Sequence, residues 1–142
     1  MKGKVAFPAL IKENAGTYLV YIPDMEIYTE ADSFEDAIEA ARDTIGLKGI
    51  TLEDEGIELP KRSSGPKAIE KAKQEADEIF DYSDGVLTFV DVDLAAYRNK
   101  IRNRAVKKNC TIPFWLSEEA EKAGLNFSKV LQDALKQKLN MA

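Results

Sequence analysis

The C-terminal stretch from Val106 onward carries more apolar positions than it can hide by itself. It reads as one short alternating segment (VKKNCTIP), a helix (FWLSEEAEKAG) and a second helix (LNFSKVLQDALKQKLN). In an extended chain Lys107, Asn109 and Thr111 point one way and Lys108, Cys110 and Ile112 the other. Pro113 cannot donate to a ladder, so the strand should stop there. Ser117 is the expected cap of the first helix, with Glu118 and Glu119 beside the positive end of its dipole. Gly124 ends that helix, and Asn126 or Ser128 starts the next, whose apolar face is Phe127, Val130, Leu131, Ala134, Leu135 and Leu139. A unit of roughly 36 residues with a single strand has no ladder partner and buries too little surface to offset chain entropy. Two copies solve both problems. Their strands form an antiparallel ribbon, and Cys110, Ile112, Trp115, Leu116, Leu125, Phe127 and Leu131 become a shared core.

That pairing would also align Lys107, Asn109 and Thr111 of both chains on one exposed face. A two-stranded ribbon fits the major groove, where Asn bonds adenine bidentately and Lys approaches guanine. The second helix, starting near Asn126 and Ser128, offers backbone amides to a phosphate. Lys108 sits where an apolar residue would suit the core, so it is expected at the open end of the ribbon, snorkelling to a phosphate. The alternative is an exposed strand with no ligand. It leaves six neighbouring cations, Arg98, Lys100, Arg102, Arg104, Lys107 and Lys108, without a purpose. Cys110 invites a nucleophile reading, but it faces the ribbon core with no base nearby; a small apolar core residue is the expectation.

Charge divides the chain in the same place. Residues 1–93 hold 10 Lys+Arg against 21 Asp+Glu, a net of −11, whereas residues 94–142 hold 10 against 4, a net of +6. Two modules with different partners are implied, a basic one suited to nucleic acid and an acidic one suited to something basic. The chain has no histidine and one cysteine, which excludes Ser-His-Asp and Cys-His chemistry, imidazole-bound zinc and an intrachain disulfide. No apolar run approaches the roughly 18 residues of a membrane span. A cytoplasmic protein with no membrane partner, no cofactor and no metal is the expectation.

The front of the chain alternates sheet and helix signals. Strands are expected at 4–11, 17–22 and 26–31, with the bend of the first pair at Asn14–Gly16. Ser33 caps a helix carrying Phe34, Ala37, Ile38, Ala41 and Ile45, which Gly46 should end. Residues 53–66 read as an exposed loop. Pro66 opens a helix with Ile69, Ala72, Ala76, Ile79 and Phe80 on one face, and VLTFVDVDL is the last strand. Residues 95–105 read as a basic connector with room for a helical turn. The class is α+β, with domains 1–94 and 106–142 around that linker.

Asp24, Glu26, Glu30 and Asp32, and separately Asp91 and Asp93, invite a two-metal nuclease reading. They lie around strands whose alternation scatters the first set, and an acidic edge facing a partner is the more usual meaning.

The strand–Pro–helix–Gly–helix tail resembles a ribbon-helix-helix DNA-binding domain. The family's base-reading triad falls on Lys107, Asn109 and Thr111, its strand-ending proline on Pro113 and its phosphate-clamping helix start on Asn126–Ser128. The segments TYLVYIPD, TEADSFEDAIEAARDTIG and EDEGIELP resemble HicB antitoxins of the bacterial HicA–HicB toxin–antitoxin systems. That resemblance implies a partial RNase H-like front domain, a small sheet plus helices, that binds and blocks a small HicA-type RNA-cleaving toxin. It also implies a tail that binds operator DNA as a homodimer and represses its own operon. Whether dimers pair into tetramers stays open. A basic RNA-binding toxin would complement the acidic half and associate quickly with it. No catalytic residue is assigned. The competing readings are a metal-dependent RNase H-like nuclease with a nucleic-acid-binding tail, and a plain repressor whose front domain senses a small molecule.

Overall fold

The computed structural model describes residues 3–141, which fall into two compact units, Met1–Arg104 and Ala105–Ala142. The first contains an antiparallel four-stranded sheet in the order β3-β2-β1-β4. Its strands are β1 (Lys4–Asn14), β2 (Thr17–Ile22), β3 (Ile27–Ala31) and β4 (Val86–Asp93). β1 runs to Asn14, so the bend is tighter than the sequence suggested. Ala15 and Gly16 both take positive φ, 53° and 85°, the two-residue geometry whose twist matches paired strands. A 3-10 turn at Pro23–Met25 and a left-handed Glu26 carry the chain into β3, which starts one residue later than expected.

Helix α1 (Phe34–Asp54) begins as anticipated, with the Ser33 hydroxyl accepting the Asp36 amide at 3.0 Å. It does not stop at Gly46. The absent side chains of Gly46 and Gly49 instead open a seam for α3 (Leu94–Arg102): a Cβ on Gly46 would lie 2.7 Å from the Tyr97 ring, and one on Gly49 2.8 Å from Leu94. The true stop is Gly56, at φ +72°, where paired amide bonds from Gly56 to Glu53 and from Ile57 to Leu52 close the last turn. Residues 95–102, read from the sequence as a connector with at most a helical turn, therefore form a full helix that belongs to this unit. The Asp93 carboxylate caps it by accepting the Ala96 amide at 3.1 Å, and Arg98 pairs with Asp54 at 2.9 Å. Burial, and then the Asp43 carboxylate accepting its hydroxyl at 2.7 Å, push Tyr97 up to about 12.

Helix α2 (Gly65–Glu75) has the Ser64 hydroxyl as its cap and Pro66 in its first turn. It ends before Ile79 and Phe80, contrary to the periodicity. Asp77 competes with the helix, its side chain accepting the amides of Ile79 and Phe80 at 2.8 Å each. The two sheet faces are accordingly covered differently. Phe7, Ala9, Ile11, Val20, Ile22, Val90 and Val92 pack under α1 and α3. Leu10 and Tyr21 pack against Ala72 of α2, with Ile69, Tyr82 and Leu87 around them. Among the described residues no helix is long and apolar enough to cross a membrane.

Gly46→Val would force the Tyr97 ring off α1. Overpacking of this kind costs about 1–3 kcal/mol, so the urea midpoint of the full chain should fall accordingly while the cooperativity of unfolding is kept.

Candidate functional site

The second unit consists of a segment without regular structure and two helices, α4 (Phe114–Lys122) and α5 (Phe127–Lys138). Residues 105–113 carry no ladder in the single chain. α4 begins directly after Pro113, which precedes its first turn without a side-chain cap. Ser117 lies inside the helix and is not its cap, because the helix starts three residues earlier, at Phe114. Gly124 takes φ +69° and closes α4 with amide bonds from Gly124 to Glu121 and from Leu125 to Ala120. The Asn126 side chain caps α5 by accepting the Lys129 amide at 3.1 Å. The amides of Phe127 and Ser128 thus stand at a helix start outside the helical ladder.

No described residue of this unit is buried. An open apolar cavity of about 550 Å³ runs between that segment and the helices. Lys108, Cys110 and Ile112 line it from the segment, Leu116 and Ala120 from α4, and Leu125, Phe127, Ser128, Val130, Leu131 and Ala134 complete it. Lys107, Asn109 and Thr111 are exposed and do not line it. The alternation read from the sequence is therefore the alternation of the backbone, with Lys108 on the groove side. Cys110 is exposed in the single chain, although its side faces apolar neighbours. Trp115 stands apart: it is 65% exposed and off the groove, beside Phe114 at 80%. Helical spacing explains this, since Leu116 and Ala120, four apart, share the groove side that Trp115 cannot reach. Ala120 is the groove residue that the sequence reading passed over; its distance from Leu116 was the available signal.

In the first unit the candidate acids take up separate structural positions. Asp24 accepts from the Ser63 amide at 2.8 Å and from its hydroxyl. Glu26 pairs with Lys71 at 3.2 Å. Asp91 meets Arg42, which also donates to the Asp91 carbonyl at 3.0 Å and so blocks part of the β4 edge. Asp93 caps α3. Glu30 and Asp32 are exposed. Among the described residues no group of three or more His, Cys, Asp or Glu side chains is placed to hold a metal ion.

A family model described as "HicB_like antitoxin of bacterial toxin-antitoxin system" matches residues 7–133. A chain of the solved structure "Toxin-Antitoxin complex from Streptococcus pneumoniae" is 28% identical with a TM-score of 0.58, the match covering 95% of this chain and 99% of that one. A chain of "HicA3 and HicB3 toxin-antitoxin complex" is 21% identical with a TM-score of 0.48, covering 63% of this chain and 99% of its own. "Crystal structure of the Burkholderia Pseudomallei antitoxin HicB" is 22% identical with a TM-score of 0.47, covering 95% of this chain and 96% of its own. No curated protein matches.

Asn126→Ala removes the cap of α5. A loss of about 0.5–2 kcal/mol in the stability of the second unit is expected, read as an earlier loss of helical circular dichroism on heating.

Proposed function

The chain belongs to the HicB-like antitoxin family, and from that premise we propose a two-part activity. The first unit, a partial RNase H-like fold, binds and neutralises a small basic HicA-type toxin. The second, a ribbon-helix-helix module, dimerises and represses the operon by binding operator DNA. The neutralising half rests on family membership and on the surplus of carboxylates in residues 1–93, net −11, which steers a basic partner toward it.

One observation carries the repressor half, namely that the second unit has an apolar groove and no buried residue of its own. Fully burying a single Leu, Val or Phe side chain is worth about 1.5–3 kcal/mol. Ile112, Leu116, Leu125, Phe127, Val130 and Leu131 all stand at 38–50% exposure. Leaving that face in water would forgo the main driving force for folding. A second copy laid with its strand antiparallel to this one covers the groove and supplies the missing ladder in the same step. It would also set Lys107, Asn109 and Thr111 of both chains side by side, pointing away from the shared core. Lys108 then lies at the ribbon's end, where its ammonium reaches a phosphate. The amides at the start of α5, near Asn126 and Ser128, would clamp another. Arg102 and Arg104, both exposed, add sequence-independent attraction. The cytoplasm is the compartment that suits such a repressor.

Two substitutions test the repressor half. Asn109→Ala should weaken binding to the operon's own promoter by about 1–3 kcal/mol while neutralisation of the toxin persists; equal promoter affinity for both proteins rejects the base contact. Phe127→Glu should give a species of monomer mass in analytical ultracentrifugation and abolish the promoter shift. A monomer that still shifted the promoter would contradict the shared core.

A further inference from the structure

The first unit has a concave surface on the sheet face away from α1. Tyr21 of β2 and Tyr28 of β3 are directly paired across the strands, and their rings stack at 4.7 Å with 13° between planes. Tyr82 leans on both, at 5.4 and 5.7 Å, and Phe80 sets its edge on Tyr82 at 4.5 Å. With Glu75 and Asp77 these rings enclose a hollow of about 160 Å³. Tyr28 remains 59% exposed beside it. Glu75 accepts the Tyr21 hydroxyl through one oxygen, and Asp77 accepts the Ile79 and Phe80 amides through one oxygen. Neither carboxylate has a partner for its second oxygen among the described residues.

The loop forming the rim is fixed in place. Lys12 donates to the Asp81 carbonyl at 2.7 Å, pairs with Asp84 at 2.7 Å and lies 5.0 Å from the Phe80 ring centre. Burial, followed by the Glu75 carboxylate, pushes the Tyr21 hydroxyl far above its usual value, so Glu75 keeps a donor there at every physiological pH. The hollow is thus held in place, lined by aromatic rings together with the carboxyl-bearing Glu75 and Asp77.

Its size and chemistry select the occupant. Small-molecule sites run to about 300–1,000 Å³, so this hollow is too small for a ligand of that kind and matches one long side chain. Aromatic faces attract cations, and carboxylates take a guanidinium through paired N–H donors. Arginine satisfies both at once, because its planar head stacks and forks where an ammonium does neither. The partner carrying it should be basic, given the charge of this half of the chain. We propose that this hollow is the socket for one arginine of the HicA-type toxin, so that the α2 side of the sheet is the toxin-facing surface. This assignment rests on the antitoxin reading above and adds to it the face and the anchoring side chain.

The test measures affinity between the full-length antitoxin and the toxin encoded beside it, by calorimetry. Tyr28→Ala should weaken binding about tenfold, whereas Tyr28→Phe, which keeps the π face, should stay within about twofold. In a parallel scan of the toxin's arginines against unaltered antitoxin, one Arg→Ala change should weaken binding about tenfold. That same toxin variant should show little further loss against the Tyr28→Ala antitoxin, since the two changes break one contact. Unchanged binding by Tyr28→Ala, equal loss in Tyr28→Ala and Tyr28→Phe, or a toxin in which no arginine couples to Tyr28 overturns the socket. In each of those cases the antitoxin reading survives, because unaltered protein still binds. Failure of the unaltered pair to associate at all would remove that reading, and the socket with it.

Discussion

The apolar side of α5 has nothing within its own unit to cover it. Two short helices and the segment before them enclose a groove but no interior, and every large apolar side chain there keeps a substantial part of its surface in water. Most of what is specific about the C-terminal unit follows from that shortage. The segment before Pro113 has its backbone groups free to pair with a neighbouring strand, and the apolar groove gains from a second wall. One symmetric partner would supply both, and the polar residues left outside the new core would then be Lys107, Asn109 and Thr111. In the proposed repressor, folding and dimerisation would be one event that also creates the DNA-reading surface.

The N-terminal unit is built on the opposite basis. Its sheet is covered on both sides, and its core is complete without a partner. Even so, the two faces differ in kind. Under α1 and α3 the packing is aliphatic and close enough that glycines at 46 and 49 are required for the helices to meet. Under α2 the helix ends early, and the remaining area is finished with tyrosines and a carboxylate-rich loop. Aromatic rings there do two jobs, since they cover the sheet and still present polar or π surface to the outside. A closed aliphatic face stabilises the unit, while an aromatic face left partly open is available for recognition.

Negative charge in this unit is put to local use more than it is concentrated. Asp24, Asp91 and Asp93 each fasten a loop, an edge or a helix start, and Glu26 is tied to Lys71. Their dispersal matters for function. A two-metal site needs acids converging within a few ångströms, and these are spread over separate elements, so they contribute a long-range field in place of a coordination sphere. That field suits the approach of a basic protein.

How far the sequence alone could be read depended on whether a signal was local. The Asn126 and Ser33 caps, the end of α4 at Gly124 and the apolar stripe of α5 follow from bonds and spacings within a few residues, and the structure places them as read, whereas the strand expected at 107–112 forms no ladder in the single chain. The larger errors came where a distant element decides the outcome, and the smaller ones where two local signals competed. Gly46 looks like a helix end because glycine usually is one; only the arrival of Tyr97, some fifty residues later, turns it into a packing seam. Residues 95–102 look like a connector because their basic pattern is plain, while the surface they cover lies on α1. The end of α2 was set by Asp77 capturing two amides, and the exposure of Trp115 by which side of α4 the groove claimed. The grouping of Tyr21, Tyr28, Phe80 and Tyr82 leaves no trace in spacing, since β-sheet pairing and a returning loop bring them together. Sequence by itself determined the four sheet strands, the Ser33 and Asn126 caps and the fact that the tail lacks an interior, because short-range bonding and apolar content are written residue by residue. Which glycines become seams and which rings become a socket was decided only in the tertiary structure, because those contacts join residues that the chain keeps far apart.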